Sequence, residues 1–133
     1  MLLPLLLRLH LTDMGFAVYM FVCNLLIPLV MIIAGYMMYK HPPKDINGFV
    51  GYRTRRSRQN ENTWAYAHNV CGKMWLKWGL IMLLPSVLIQ LPFIHSDENT
   101  LSVLTVIIET VQIAVLLGTT YLVEKALKEK FGE

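Results

Sequence analysis

The chain has 133 residues, of which 55% are apolar and only 16% charged, with a formal net charge of +3. That balance lies outside the usual range of soluble domains and excludes an ordinary water-exposed surface, while the length fits one domain. Basic residues concentrate in one region, where Lys40, Lys44, Arg53, Arg55, Arg56, Arg58, Lys73 and Lys77 face only Asp45 and Glu61. Apolar runs bound this region on both sides, so the expected partners are the lipid bilayer and anionic lipid headgroups, not nucleic acid.

Residues 1–13 are leucine-rich, but Pro4, Arg8 and His10 interrupt them. No small-residue cleavage site follows, which argues against a cleaved secretory signal. The segment reads as a short interfacial extension or as a start placed too early, with Met14 the favoured beginning. Residues 16–39 form the first span and carry no charge. A helix of that length reaches about 36 Å, enough to cross a hydrocarbon core of roughly 30 Å. Within it, Pro28 removes the amide donor that the Asn24 carbonyl would otherwise receive. The Asn24 side chain is one candidate to re-satisfy that backbone. The helix is expected to stop at the prolines of residues 40–44, since His41 precedes a proline and turns extended. His41 has no second ligand at metal-binding spacing, so neither a metal nor a cofactor is expected.

The second span is read at 74–94, with Trp75 and Trp78 beside Lys73 and Lys77 as an interfacial belt. The loop 95–100 carries Asp97 and Glu98 and no lysine or arginine, and Asp97 or Ser96 can cap the helix that follows. The third span is read at 101–123, and Glu124 with Lys128 suits an i,i+4 pair in a projecting tail helix. The positive-inside rule then places the 40–77 connector and the C-terminus in the cytoplasm, with the N-terminus and the 95–100 loop outside. The fold class is an all-α integral membrane protein with three transmembrane helices. Residues 14–133 form a single membrane domain. A soluble fold with buried core helices fails on three apolar runs of this length.

Two constellations stand out. Ser57, Asn60, Trp64, Ala67, His68 and Cys71 recur at the spacing of one helix face. This predicts a cytoplasmic interfacial helix between the first and second spans, with arginines reaching lipid phosphates. Before it, Gly48 and Gly51 frame Tyr52, Arg53 and Thr54, and Arg53 suits bidentate binding of a phosphate or carboxylate. On spacing alone, a solvated re-entry loop is the more economical reading. The second constellation is intramembrane. Asn24 and Glu109 each lie about 12 Å in from the outer end of their spans by helical rise, with Gln112 a turn deeper and Gln90 nearer the surface. Glu109 is expected to face the bundle or a wet cavity, or to be protonated. A ligand-responsive polar site and interhelical packing bonds remain equally open readings here. No nucleophile elbow, P-loop, metal set or carboxylate pair is present, and Ser57 and His68 are too far apart along one helix to pair.

The polar segment resembles the signature of the SdpI family of bacterial membrane proteins. The residues that carry the resemblance are Pro42-Pro43, Asn47, Gly51-Tyr52-Arg53-Thr54, Ser57, Asn60, Thr63-Trp64, Ala67-His68 and Gly72-Lys73-x-Trp75, with a similar tail at 124–127. The resemblance covers 14–131 and turns the balance towards a functional site. It implies a three-helix protein of the bacterial cytoplasmic membrane with a role in immunity to a secreted toxin peptide or in signalling. Its implied partners are that peptide and a cytoplasmic transcriptional repressor. The name-giving member is longer, with an additional membrane-spanning half, and this chain resembles only its signature-bearing half. The site expected for a ligand or partner comprises Asn47, Gly51, Tyr52, Arg53, Thr54, Ser57, Asn60, Trp64 and His68, with Asn24, Gln90, Glu109 and Gln112 inside the membrane. No enzymatic activity is expected. Two alternatives stay open: a small transporter or lipid-handling protein working as a homo-oligomer with Glu109 titrating, and an enzyme acting on lipid headgroups.

Overall fold

The computed structural model describes residues 2–132, with the side chains of 9–12 outside the description. It contains three long helices: α1 (Leu2–Lys40), α2 (Glu61–Gln90) and α3 (Glu98–Phe131). A short 3-10 turn (Leu91–Phe93) closes α2 before the connection to α3. All three helices are long and apolar enough to cross a membrane. Residues 2–13, read from sequence as an extension, continue α1 without a break. Asp97 stands at the N-cap of α3 with Glu98 in its first turn.

Each helix buries a narrow stripe and leaves the rest of its circumference apolar and open. On α1 the buried line runs through Ala17, Asn24, Pro28, Met31, Gly35 and Met38. On α3 it runs through Leu101, Ile108, Gln112, Thr119, Val123 and Leu127. Steps of three, four and seven residues keep such a line straight along a helix packed at a shallow angle. Outward residues such as Ile33, Leu84 and Val106 are exposed, as hydrocarbon-facing positions require.

The tightest packing joins α1 and α2. Gly35 and Gly72 face each other so closely that a Cβ on Gly72 would lie 2.6 Å from the Tyr39 nitrogen and 2.8 Å from the Gly35 carbonyl oxygen. Small residues at such a crossing let two backbones touch, which is the main attraction available where lipid is as apolar as leucine. At the basic end, Met38, Tyr52, Ala67, Cys71, Val123 and Leu127 form the apolar cluster that joins all three helices to the loop. Trp75 adds a polar tie there, donating from its indole nitrogen to the Thr119 hydroxyl at 3.1 Å. Both cysteines are free, and Cys71 is fully buried.

The expected separate interfacial helix between the first and second spans is not formed. Residues 41–60 are turns and bends, and the helix that begins at Glu61 runs unbroken into the second span. The reason is a capping box. Asn60 is extended (φ −159°) and accepts from the Thr63 amide, while the Thr63 hydroxyl accepts from the Asn60 amide. That reciprocal pair fixes the helix start after Asn60. Ser57 and Asn60 share the spacing of the α2 face but lie before the helix.

Candidate functional site

The segment 41–60 folds back over the basic end of the bundle, and its polar residues mostly satisfy one another. Asn47 shapes the first turn, its side-chain oxygen accepting from the amides of Phe49 (2.9 Å) and Val50 (2.7 Å). Such a side chain mimics a backbone turn and leaves the residues after it outward. Gly51 then adopts φ +102°, a conformation that an L side chain rarely reaches. This swings the Tyr52 amide onto His68, where it donates to Nε2 at 2.9 Å. On the other side of the ring, Nδ1 lies 2.7 Å from the Trp64 carbonyl, which can only accept. The two contacts fix His68 as the neutral Nδ1–H tautomer, with both nitrogens engaged. Trp64 lies against His68 with ring centroids 4.3 Å apart and donates its indole N–H to the Pro43 carbonyl at 2.8 Å. One buried pair of rings thus holds the loop at Pro43 and again at Tyr52.

Ser57 closes the second turn. Its hydroxyl reaches the Tyr52 carbonyl at 2.9 Å and accepts from the Thr54 amide at 2.9 Å. The Thr63 hydroxyl takes the Ser57 carbonyl at 3.0 Å, which links the loop to the cap of α2. Ser57 and His68 therefore serve separate backbone groups and make no bond to each other.

Tyr52 carries the connection to α3. Its hydroxyl donates to Glu124 at 2.6 Å, and the other Glu124 oxygen pairs with Arg56 at 3.3 Å. Burial pushes the Tyr52 phenol above its ordinary range, and the Glu124 carboxylate adds to the shift, so the hydroxyl stays a donor. Glu124 was not among the residues that spacing singled out, where it read as half of a tail pair with Lys128. It bonds across to the loop instead. The signal for it was weak: one acid just beyond an apolar span, opposite an arginine-rich connector. Tyr52→Phe is expected to lower stability by about 1–2 kcal/mol, the cost of one charge-assisted hydrogen bond, in thermal unfolding in detergent.

Among the polar side chains that stay exposed at this end are several arginines. Arg53 makes one bond, from its guanidinium to the Gly48 carbonyl, and is otherwise open among the described residues. Arg55 and Arg58 are also exposed, and Arg55, Arg56, Gln59 and Glu124 line a cavity of about 470 Å³.

At the opposite end a second polar cluster ties the three helices together. The Asn24 amide donates to Gln90 at 2.7 Å and to Thr105 at 3.1 Å. The Gln112 amide donates to the Asn24 backbone carbonyl at 2.8 Å and to the Ser86 hydroxyl at 2.9 Å. The carbonyl freed by Pro28 is therefore taken up by α3, not by the Asn24 side chain itself. Asn24 Oδ1 and Gln112 Oε1 are buried without a partner among the described residues. Glu109 does not join this cluster. It is half-buried, with no hydrogen bond or ion pair among the described residues. The contact line of α3 passes through Ile108 and Gln112, and Glu109 is turned about 100° from Ile108 by helical geometry. Gln112→Leu is expected to cost about 1–2 kcal/mol, since it strands the Asn24 carbonyl in an apolar span. No measurable loss of thermal stability in detergent would show the carbonyl to be satisfied in another way.

Residues 44–122, which hold most of the loop lock made by Pro43, Tyr52, Arg56, Ser57, Trp64, His68 and Glu124 and most of the polar cluster, match the SdpI/YfhL protein family. The chain belongs to that family. It is also 40% identical over 53 residues to the uncharacterized protein YfhL of Bacillus subtilis (strain 168), an overlap of 40% of this chain and 48% of that one. The chain spans about half the length of the curated relative it matches. No solved structure matches. With three apolar helices and SdpI/YfhL membership, it is a multi-pass membrane protein. The SdpI/YfhL match contains every residue of the loop lock except Pro43 and Glu124.

Proposed function

We propose that this SdpI/YfhL member is a binding protein of the bacterial cytoplasmic membrane that acts in toxin immunity or signalling without chemistry of its own. One observation carries the reading. Ser57 and His68 spend their polar atoms on backbone groups, while Arg53, Arg55 and Arg58 form an exposed rim at the same end. A rim of this kind recognises acidic partners or headgroups. The lysine and arginine excess argues for placing it in the cytoplasm, with the Asn24–Gln112 cluster towards the outside. On this arrangement α3 links the two ends, since Gln112 sits in the outer cluster and Glu124 in the loop lock, about 18 Å apart by helical rise. A secreted peptide engaging the outer end would bias α3, and the rim would present that change to a cytoplasmic repressor.

The test is survival of toxin-sensitive cells challenged with the purified killing peptide. Cells making this chain are expected to survive better than empty-vector cells. Arg55→Gln with Arg58→Gln is expected to keep membrane levels and lose recruitment of the repressor. Unaltered killing by the peptide, together with no membrane recruitment of a repressor at equal protein levels, would sink the proposal.

A further inference from the structure

A groove of about 670 Å³ opens between the end of α1 and the folded loop. Its deep part is apolar, lined by Ala34, Met37, Met38 and Trp75, and its rim is polar, with His41 and Arg53. From Ala34 to His41 the wall rises about 10 Å along the helix, the depth over which a bilayer changes from acyl chain to headgroup. The groove faces outward on the same surface as Met37 and Ile33, so it is continuous with the lipid-facing side of α1.

The loop beside it has an unusual tip. Phe49 is 88% exposed and Val50 61%, with Ile46 also exposed. Phe49 and Val50 stand on a turn closed by Asn47, whose side-chain oxygen accepts from both of their amides. Around them are the cations Lys40, Lys44 and Arg53, against the single acid Asp45. Apolar side chains ringed by cations are the composition of a segment that dips into an anionic membrane interface. The Arg53 guanidinium has five N–H donors, and Gly48 occupies one nitrogen only. The remaining donors stand at the polar rim of an apolar slot.

We propose that this groove is a specific site for an anionic glycerophospholipid, with its phosphate on Arg53 and an acyl chain along Met37 and Met38. The inserted tip of Ile46, Phe49 and Val50 holds the loop at headgroup level beside the bound lipid. Charge complementarity selects the headgroup, and the apolar wall distinguishes the lipid from a free anion.

Native mass spectrometry of the full chain in neutral detergent, offered equal amounts of phosphatidylglycerol and phosphatidylcholine, tests the site. The protein is expected to retain phosphatidylglycerol in preference. Arg53→Gln is expected to reduce that preference about fivefold, the contribution of one cation close to an anionic surface. Lys125→Gln, which removes an exposed cation of α3 outside the groove, is expected to leave it unchanged. Met37→Trp, which fills the slot, is expected to reduce retention of both lipids. Equal retention of the two lipids by the unaltered protein, equal losses in Arg53→Gln and Lys125→Gln, or displacement by millimolar inorganic phosphate would each overturn the proposal. If Met37→Trp lowers the melting temperature, Arg53→Gln and Lys125→Gln still decide the question.

Discussion

Gly51→Ala is expected to destabilise the protein by about 3 kcal/mol or more, while Gly48→Ala three residues earlier leaves it unchanged. Two costs add at Gly51. The backbone holds φ +102°, where an added Cβ costs roughly 1–2 kcal/mol. That Cβ would also overlap His68 Nε2, the atom that accepts from the Tyr52 amide. Relief requires the imidazole to move, which strands a buried donor at about 1–3 kcal/mol. At Gly48 an added Cβ meets nothing within 4 Å and the backbone is ordinary. Thermal unfolding of the two variants in one detergent checks the difference, with limited proteolysis between 41 and 60 as the local readout. Equal melting temperatures for both variants would mean that the loop is not held by His68.

Gly72→Leu is expected to have an effect of similar size by a different route, the forced separation of α1 from α2. An added Cβ would meet the Tyr39 nitrogen at 2.6 Å and its Cα at 2.9 Å, and backbone cannot rotate aside as a side chain does. Overpacking typically costs about 1–3 kcal/mol, and lost contact along the tightest helix pair adds to it. The expected readout is loss of the monodisperse peak in size-exclusion chromatography. Gly118→Leu is the control, since nothing lies within 4 Å of an added Cβ there. A normal elution profile for Gly72→Leu would show that the two helices do not cross at this point.

Much of the architecture was legible because the bilayer imposes simple rules on a chain. Runs of apolar residues above the spanning length locate the three helices, and the break at Lys40 follows from the prolines behind it. Pro28 likewise announces a freed carbonyl at Asn24. The helix-face pattern from Ser57 to Cys71 misled in one respect, because periodicity cannot distinguish a helical turn from a cap that precedes it on the same face. The pair Asn60 and Thr63, three residues apart, was the local signal for that cap.

The pairings that complete the two sites were not legible, even where a partner such as Gln112 was. Glu124 meets Tyr52 across 72 positions, and Gln112 meets the Asn24 carbonyl across 88. Which residue of α3 faces which residue of α1 depends on the register and rotation of packed helices, and mean hydropathy is nearly indifferent to rotation when every face is apolar. The amino-acid sequence by itself determined that this chain carries three runs long and apolar enough to cross a membrane, with a basic polar segment after the first. Only the tertiary structure decided that the segment is a self-bonded cap on the bundle. Its hydrogen-bond partners come from α2 and α3, which reach it only after the helices pack.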